Sequence, residues 1–203
     1  MVRISGGSWR GRLLHVPADG WIRPSMGRVR ESLFSMLAQH VVGATVLDLC
    51  AGCGLLGLEA LSRGARYSFF VDLEWKAVQF IEKNVTLCGA RTRSTVLQGN
   101  ILHKGTLNKI NQLANQQFAD QKPATGPHFD LVFLDPPYRQ GVAAVALRAL
   151  EQSSLLTPGA RIVVEQEAET GPETALPWSL VQNRRYGDTR ILFWQKPTHA
   201  EDP

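Results

Sequence analysis

Residues 44–64, ATVLDLCAGCGLLGLEALSRG, decide the fold. The apolar run ATVLDL predicts a buried strand that carries Asp48 near its end. The turn CAGCG follows, and LLGLEALSRG predicts a helix that ends at Gly64. A strand, a tight glycine turn and a helix form the first half of a unit in which the next strand runs parallel to the first.

The same alternation of strands and helices continues along the chain. The predicted strands are 44–49, 67–72, 94–100, 129–135 and 161–167, and the predicted helices are 28–41, 55–64, 75–89, 101–118 and 142–152. A loop is predicted at 119–128, a turn at 157–160, and two further strands within 179–195. We therefore expect an α/β fold, Rossmann-like, with a mostly parallel sheet and a C-terminal antiparallel hairpin. Residues 1–25 predict a small N-terminal β arm, and residues 26–203 a single domain.

Composition is typical of one soluble domain. The chain has 203 residues, of which 44% are hydrophobic and 20% charged. No apolar run approaches the roughly 18 residues of a membrane span, and the N-terminus lacks the apolar core of a secretory signal. Three cysteines without a disulfide-framework spacing favour a reducing compartment, so we expect a cytoplasmic protein. Cys50 and Cys53 form C-x-x-C, but no second pair accompanies them, and we expect no metal site.

The excess positive charge lies at the N-terminus. Residues 1–30 hold six arginines and one acid, a net charge of +5, whereas the other 16 basic and 17 acidic residues have a net charge of −1. Trp9 and Trp21 lie among these arginines. Arginine interleaved with tryptophan suits phosphate pairing and base stacking, although an ordinary solvated surface has the same composition.

The glycine turn indicates an adenosine-type cofactor. Residues 52–57, GCGLLG, match G-x-G-x-x-G between a strand and a helix, and Asp72 ends the next strand twenty residues after Gly52. A carboxylate at that point can accept both hydroxyl protons of a ribose. These features fit either NAD or S-adenosylmethionine. Asp48 favours the methyl donor, because an acid suits the cationic amino-acid moiety better than a pyrophosphate.

A second motif, LDPPY at 134–138, follows the predicted strand 129–135. Two prolines hold Asp135 extended and remove backbone N–H donors, which leaves the carboxylate and the Pro136 carbonyl as acceptors. Tyr138 offers a face for a flat ring. The motif predicts binding of a nucleobase amine whose nitrogen attacks an electrophilic methyl group. A carboxylate that only accepts favours guanine, whose edge displays adjacent N1–H and N2–H donors.

The motifs LDLCAGCGLLGLEALSRGA, LDPPY, RISGGSWRGRLL and RPSMGRVRESLF together resemble the RsmD family of small-subunit ribosomal RNA guanine-N2 methyltransferases. The resemblance implies a class I methyltransferase fold, S-adenosylmethionine as cofactor, and a guanine of small-subunit (16S) ribosomal RNA as target, within the small subunit or an assembly intermediate. It implies that the cofactor is bound by Asp48, Ala51, Gly52, Gly54, Asp72 and Asn100, the target amine by Asp135, Pro136 and Tyr138, and RNA by Arg10, Arg12, Arg23, Arg28 and Arg30. This sequence departs from the family where it has Cys50, Cys53 and Gly27.

Other functions remain open at this level. A DNA adenine-N6 methyltransferase also uses D-P-P-Y, but would need a target-reading domain for which 203 residues leave no obvious room. A protein-glutamine methyltransferase would favour asparagine at Asp135. A nicotinamide-dependent oxidoreductase and a non-catalytic RNA-binding module are the alternatives from other classes.

Overall fold

The computed structural model describes residues 2–17, 27–120, 128–137, 141–172 and 176–198. The chain forms two units, Met1–Gly99 and Asn100–Pro203. Among the described residues, no helix has both the length and the apolar composition that crossing a bilayer requires.

The first unit contains a short hairpin and a three-stranded parallel arrangement. In the hairpin, β1 (Val2–Arg3) pairs antiparallel with β2 (Leu13–Leu14). After α1 (Gly27–Val41), the parallel strands lie in the order β5-β4-β3, with Leu47 opposite Phe69 and Phe69 opposite Thr95. These elements are β3 (Thr45–Leu49), α2 (Leu55–Ser62), β4 (Tyr67–Asp72), α3 (Trp75–Leu87) and β5 (Ser94–Gln98). All residues of β3 and β4 are buried, as continuous apolar strands covered on both faces require.

The second unit begins with α4 (Lys104–Gln117), and its strands lie in the order β6-β7-β9-β8. The strand β6 (Phe129–Leu134) is parallel to β7 (Leu156–Glu167), and α5 (Val142–Glu151) connects them. The last two strands, β8 (Ser179–Tyr186) and β9 (Thr189–Gln195), form the expected antiparallel hairpin, with β9 also antiparallel to β7.

The turn predicted at 157–160 is instead part of β7. Leu156 pairs with Phe129 and Arg161 pairs with Leu131, so residues 157–160 oppose only Asp130 and form an irregularity within the strand. Thr157 stabilises it, because its hydroxyl donates to the Asp130 carboxylate at 3.0 Å. The turn residues do coincide with a break in regular pairing, but the strand pairs on both sides of that break and therefore begins at Leu156.

The N-terminal hairpin packs within the first unit through two buried apolar side chains and several partly buried hydrogen bonds. Ile4 and Leu14 are buried. The backbone N–H and the hydroxyl of Ser5 both donate to the Glu59 carboxylate of α2, at 2.8 and 2.7 Å. Ser62 donates to the Gly6 carbonyl at 2.6 Å and accepts from the Trp9 backbone at 2.9 Å. The predicted boundary after residue 25 lies outside the described residues.

Candidate functional site

The glycine turn between β3 and α2 has three residues with left-handed backbone. Cys50, Gly52 and Gly54 have φ angles of 58°, 59° and 79°. Gly54 precedes the first residue of α2, and its N–H donates to the Ala51 carbonyl at 2.7 Å. Glycine adopts this conformation without cost, whereas Cys50 is a non-glycine residue in a sparsely populated region. Such strain is frequent at ligand-binding turns.

Asp72 joins the glycine turn to the end of β4. Its Oδ2 accepts from the Gly52 N–H at 2.8 Å and its Oδ1 accepts from the Glu74 N–H at 2.9 Å. Each carboxylate oxygen has a second acceptor site, so each can also take a hydroxyl proton. Burial raises the pKa of Asp72, and these two backbone donors oppose that shift. The structure thus brings together the two features that the sequence assigned to the cofactor.

Asp48 lies beneath the turn and is 1% exposed. Its Oδ2 accepts from the Gly57 N–H of α2 at 2.9 Å. Burial is the main cause that raises the pKa of Asp48 to about 7, and the charge of Asp72 adds to the shift. A cation brought close to Asp48 would favour its ionised form. The observed hydrogen bond also gives Asp48 a role that the sequence did not indicate, which is to hold the first turn of α2.

Gly57, the third glycine of the motif, brings α2 close to β4. A Cβ atom at this position would lie 2.3 Å from Cε1 of Phe70 and 2.6 Å from Oγ of Ser68. No real side chain tolerates such distances, so the close helix–strand approach requires glycine. Gly57 therefore allows the close packing of α2 against β4.

Two features of this region were not predicted. Asn84 is fully buried in α3, donates to the carbonyls of His15 and Cys53 at 2.9 Å each, and accepts from the His15 N–H at 2.8 Å. It therefore ties the glycine turn to the residue that follows β2. Leu73, beside Asp72, is 54% exposed. The position of Leu73, directly after the acid that ends β4, could have drawn attention to it from the sequence. Helical spacing gave no such indication for Asn84.

The proline motif lies in the second unit. Asp135 follows the last residue of β6 and is half-buried, Pro136 is buried and Pro137 is exposed. Tyr138 lies outside the described residues. Asn100, also in this unit, accepts from the Leu102 N–H through its side-chain oxygen at 2.9 Å, and its backbone carbonyl accepts from His103 at 2.9 Å. Asn100 thus forms a compact turn immediately after β5.

The predicted RNA-binding arginines have different environments. Arg10, Arg12 and Arg28 are exposed, and Arg23 lies outside the described residues. Arg30 is 3% exposed, and its Nε lies 3.2 Å from Oε2 of the fully buried Glu59. A guanidinium buried in this way is not presented to a nucleic acid. The prediction that Arg30 contacts RNA is therefore corrected, because Arg30 is an internal partner of Glu59.

Comparison with known proteins places these features in a family context. A family model described as "Conserved hypothetical protein 95" matches residues 2–195. The chain is 36% identical over 201 residues to "Ribosomal RNA small subunit methyltransferase D" of Escherichia coli (strain K12), covering 98% of this chain and 92% of the relative. It is 34% identical over 194 residues to the protein of the same name from Haemophilus influenzae, covering 96% and 93%.

A solved structure described as "Putative methyltransferase yhhF from Escherichia coli" is also similar. It has a TM-score of 0.79 and 36% identity, and the match covers 98% of this chain and 99% of that chain. The predicted fold is confirmed: the chain has the α/β fold of class I methyltransferases, with a mostly parallel sheet and a C-terminal antiparallel hairpin.

Proposed function

Because the chain belongs to the family described as Conserved hypothetical protein 95, which is the RsmD family that its motifs resemble, we propose that it transfers a methyl group from S-adenosylmethionine to the exocyclic N2 of a guanine in small-subunit ribosomal RNA. The observation that carries the proposal is the likeness to the Escherichia coli relative over 98% of the chain. The substrate that we propose is the RNA within a small subunit or an assembly intermediate.

The first unit supplies five of the six cofactor residues in this proposal, and Asn100 belongs to the second unit. Asp72 accepts the ribose hydroxyls with the acceptor sites that Gly52 and Glu74 do not use. Ala51, Gly52 and Gly54 present backbone to the cofactor without side-chain bulk. Asp48 faces the cationic amino-acid moiety from beneath the turn, and Asn100 contributes near the adenine. When bound, the cofactor supplies an electrophilic methyl group on a sulfonium.

The proline motif prepares the attacking nitrogen. An exocyclic amine is a poor nucleophile because its lone pair is delocalised into the ring. The Asp135 carboxylate and the Pro136 carbonyl each accept a hydrogen bond from one of its two N–H groups and stabilise the positive charge that develops on nitrogen. Tyr138 stacks against the base, worth about 1–3 kcal/mol of binding. Asp135 then takes the released proton, directly or through water.

In this proposal RNA is held by Arg23 and by three arginines that are exposed, namely Arg10, Arg12 and Arg28. Guanidinium groups pair with phosphate oxygens in a bidentate geometry. Flipping a guanine out of a stack costs a few kcal/mol, and less in a loop, so the expected target is an unpaired guanine.

The direct test is methyl transfer in vitro. The protein is incubated with radiolabelled S-adenosylmethionine and either small ribosomal subunits or purified small-subunit RNA, and the labelled nucleoside is identified. We expect N2-methylguanosine. Asp135→Ala should abolish transfer while the dissociation constant of the cofactor stays within about twofold, because Asp135 contacts the target and not the cofactor. Asp72→Ala is the matched control and should weaken cofactor binding itself.

The outcomes separate the alternatives. Retained turnover in Asp135→Ala would defeat the site assignment, and label in adenine of DNA would favour a DNA methyltransferase. A melting temperature raised by NAD and not by S-adenosylmethionine would indicate an oxidoreductase. RNA binding without transfer in the unmodified protein would indicate a non-catalytic RNA-binding module.

A further inference from the structure

The ring of Trp9, in the hairpin loop, lies close to two guanidinium groups. The Trp9 ring centroid lies 5.9 Å from Cζ of Arg12 and 5.4 Å from Cζ of Arg93. Arg93 ends a short 3₁₀ turn, Arg91–Arg93, which precedes β5 and lies far outside the N-terminal segment that the sequence assigned to RNA. We call Trp9, Arg12 and Arg93 the arginine–tryptophan cluster. Folding thus brings a distant arginine to the basic N-terminal segment.

The cluster is held in place by the rest of the first unit. The Trp9 backbone N–H donates to Oγ of Ser62 at 2.9 Å, which fixes the hairpin loop on α2. Nη1 of Arg12 donates to the Leu87 carbonyl at 3.0 Å, at the last residue of α3. Side chains that are already oriented lose less conformational freedom when a ligand binds them. The cluster is therefore prepared for a ligand rather than assembled by it.

The charge of the cluster is not neutralised within the described part of the chain. There, neither Arg12 nor Arg93 forms an ion pair, and the neighbouring Arg91 reaches Glu82 only at 3.9 Å with both side chains largely exposed. Both guanidiniums lie within 5.9 Å of the same ring centroid, so an anion that binds close to this ring is attracted by two positive charges. Guanidinium groups match the oxygens of phosphate.

We propose that the arginine–tryptophan cluster binds the phosphate backbone of the ribosomal RNA substrate, with Trp9 orienting the two guanidiniums and not stacking on a base. The proposal rests on the proposed function, from which it takes RNA as the partner. It adds Arg93 to the RNA-binding residues. Because the phosphate backbone is the same at every nucleotide, this contact does not depend on the RNA sequence. It positions the RNA without selecting the guanine.

The test is the salt dependence of RNA binding. A transcript of the small-subunit ribosomal RNA is titrated with the protein by filter binding at several salt concentrations, without cofactor. The double variant Arg12→Gln with Arg93→Gln should flatten the slope of log affinity against log salt by about 1 for each lost contact, and so by about 2. The matched control, Arg12→Lys with Arg93→Lys, keeps both charges and should keep most of the slope.

Each result bears on the proposal separately from the function. A slope in the double Gln variant equal to that of the unmodified protein overturns it, as does an equal loss of slope in the Lys control. Unchanged melting temperature and cofactor dissociation constant in both variants show that the fold is intact. Failure of the proposed function would be seen instead as absence of methyl transfer by the unmodified protein, whatever the slopes.

Discussion

The buried ion pair of Arg30 and Glu59 gives the sharpest test of the structure. Arg30 is 3% exposed and Glu59 is fully buried, with 3.2 Å between Nε and Oε2. Nη2 of Arg30 also donates to the Arg3 carbonyl at 2.6 Å. Arg63 donates to the other oxygen of Glu59 at 2.9 Å. Glu59 therefore links the hairpin, α1 and its own helix through one carboxylate.

Replacing Glu59 and replacing Arg30 should lower the free energy of unfolding by different amounts. Glu59→Gln leaves the Arg30 cation buried without its counter-charge, so we expect a loss of about 3–5 kcal/mol in the free energy of unfolding. Arg30→Met leaves Glu59 with donors from Ser5 and Arg63, so we expect the lower end of that range, about 3 kcal/mol. Because the two side chains interact directly, the double variant should lose less than the sum, with a coupling free energy of about 1.5–3 kcal/mol.

Urea unfolding followed by tryptophan fluorescence measures these losses. The matched control is Arg28→Met, because Arg28 is exposed on the same helix and its replacement should change stability by less than about 0.5 kcal/mol. At a temperature where Arg30→Met is folded, its RNA binding should keep the salt slope of the unmodified protein. A stability loss below about 1 kcal/mol together with a flattened salt slope would refute the internal role and restore Arg30 as an RNA contact.

Two further predictions concern the glycine turn. The pKa of Asp48 is raised to about 7 by burial, above its ordinary value of 3.8, so the folded protein binds this proton more tightly than the unfolded chain. The stability that results is present below pH 3.8 and is lost as pH rises through about 7. Denaturant unfolding at several pH values should show the free energy of unfolding falling over this range, and Asp48→Asn should flatten that dependence. Gly57→Ala should cost about 1–3 kcal/mol and weaken binding of S-adenosylmethionine, because the new Cβ meets Phe70 at 2.3 Å. The matched control, Gly105→Ala in α4, meets nothing within 4 Å and should stabilise by about 0.5–1 kcal/mol; equal effects in both variants, seen in calorimetry, would contradict the packing role of Gly57.

Local patterns explain why much of the fold could be predicted. The strand YSFFVD was predicted at 67–72 and β4 has the same bounds, because a short, mostly apolar run that is rich in aromatic residues and ends in an acid has few alternatives. The glycine turn and Asp72 were also recognisable, since their spacing reflects the geometry of one strand–turn–helix–strand unit. Helix ends differed by a few residues, as in α4, which begins at Lys104 and not at residue 101.

Contacts between distant segments could not be read in the same way. The family resemblance implied an RNA contact for Arg30, yet its partner Glu59 is 29 residues away on another helix. Nothing in helical spacing distinguishes a charge that faces solvent from one that faces a buried carboxylate. Cys50 was recognised only as a departure from the family, whereas its φ of 58° places it in a conformation that composition does not reveal.

The hydrogen bonds of Asn84 require an amide side chain at this position. It donates twice and accepts once, to and from backbone groups of His15 and Cys53. Aspartate would offer only acceptors, which would face two carbonyls. Leucine would remove all three hydrogen bonds and leave the buried Cys53 carbonyl without this donor, at about 1–3 kcal/mol. Because the same side chain supports the glycine turn and the end of the hairpin, the positions of these two segments depend on one set of hydrogen bonds. The geometry of the proposed cofactor-binding turn is therefore set partly by the N-terminal hairpin, which the glycine motif alone does not indicate.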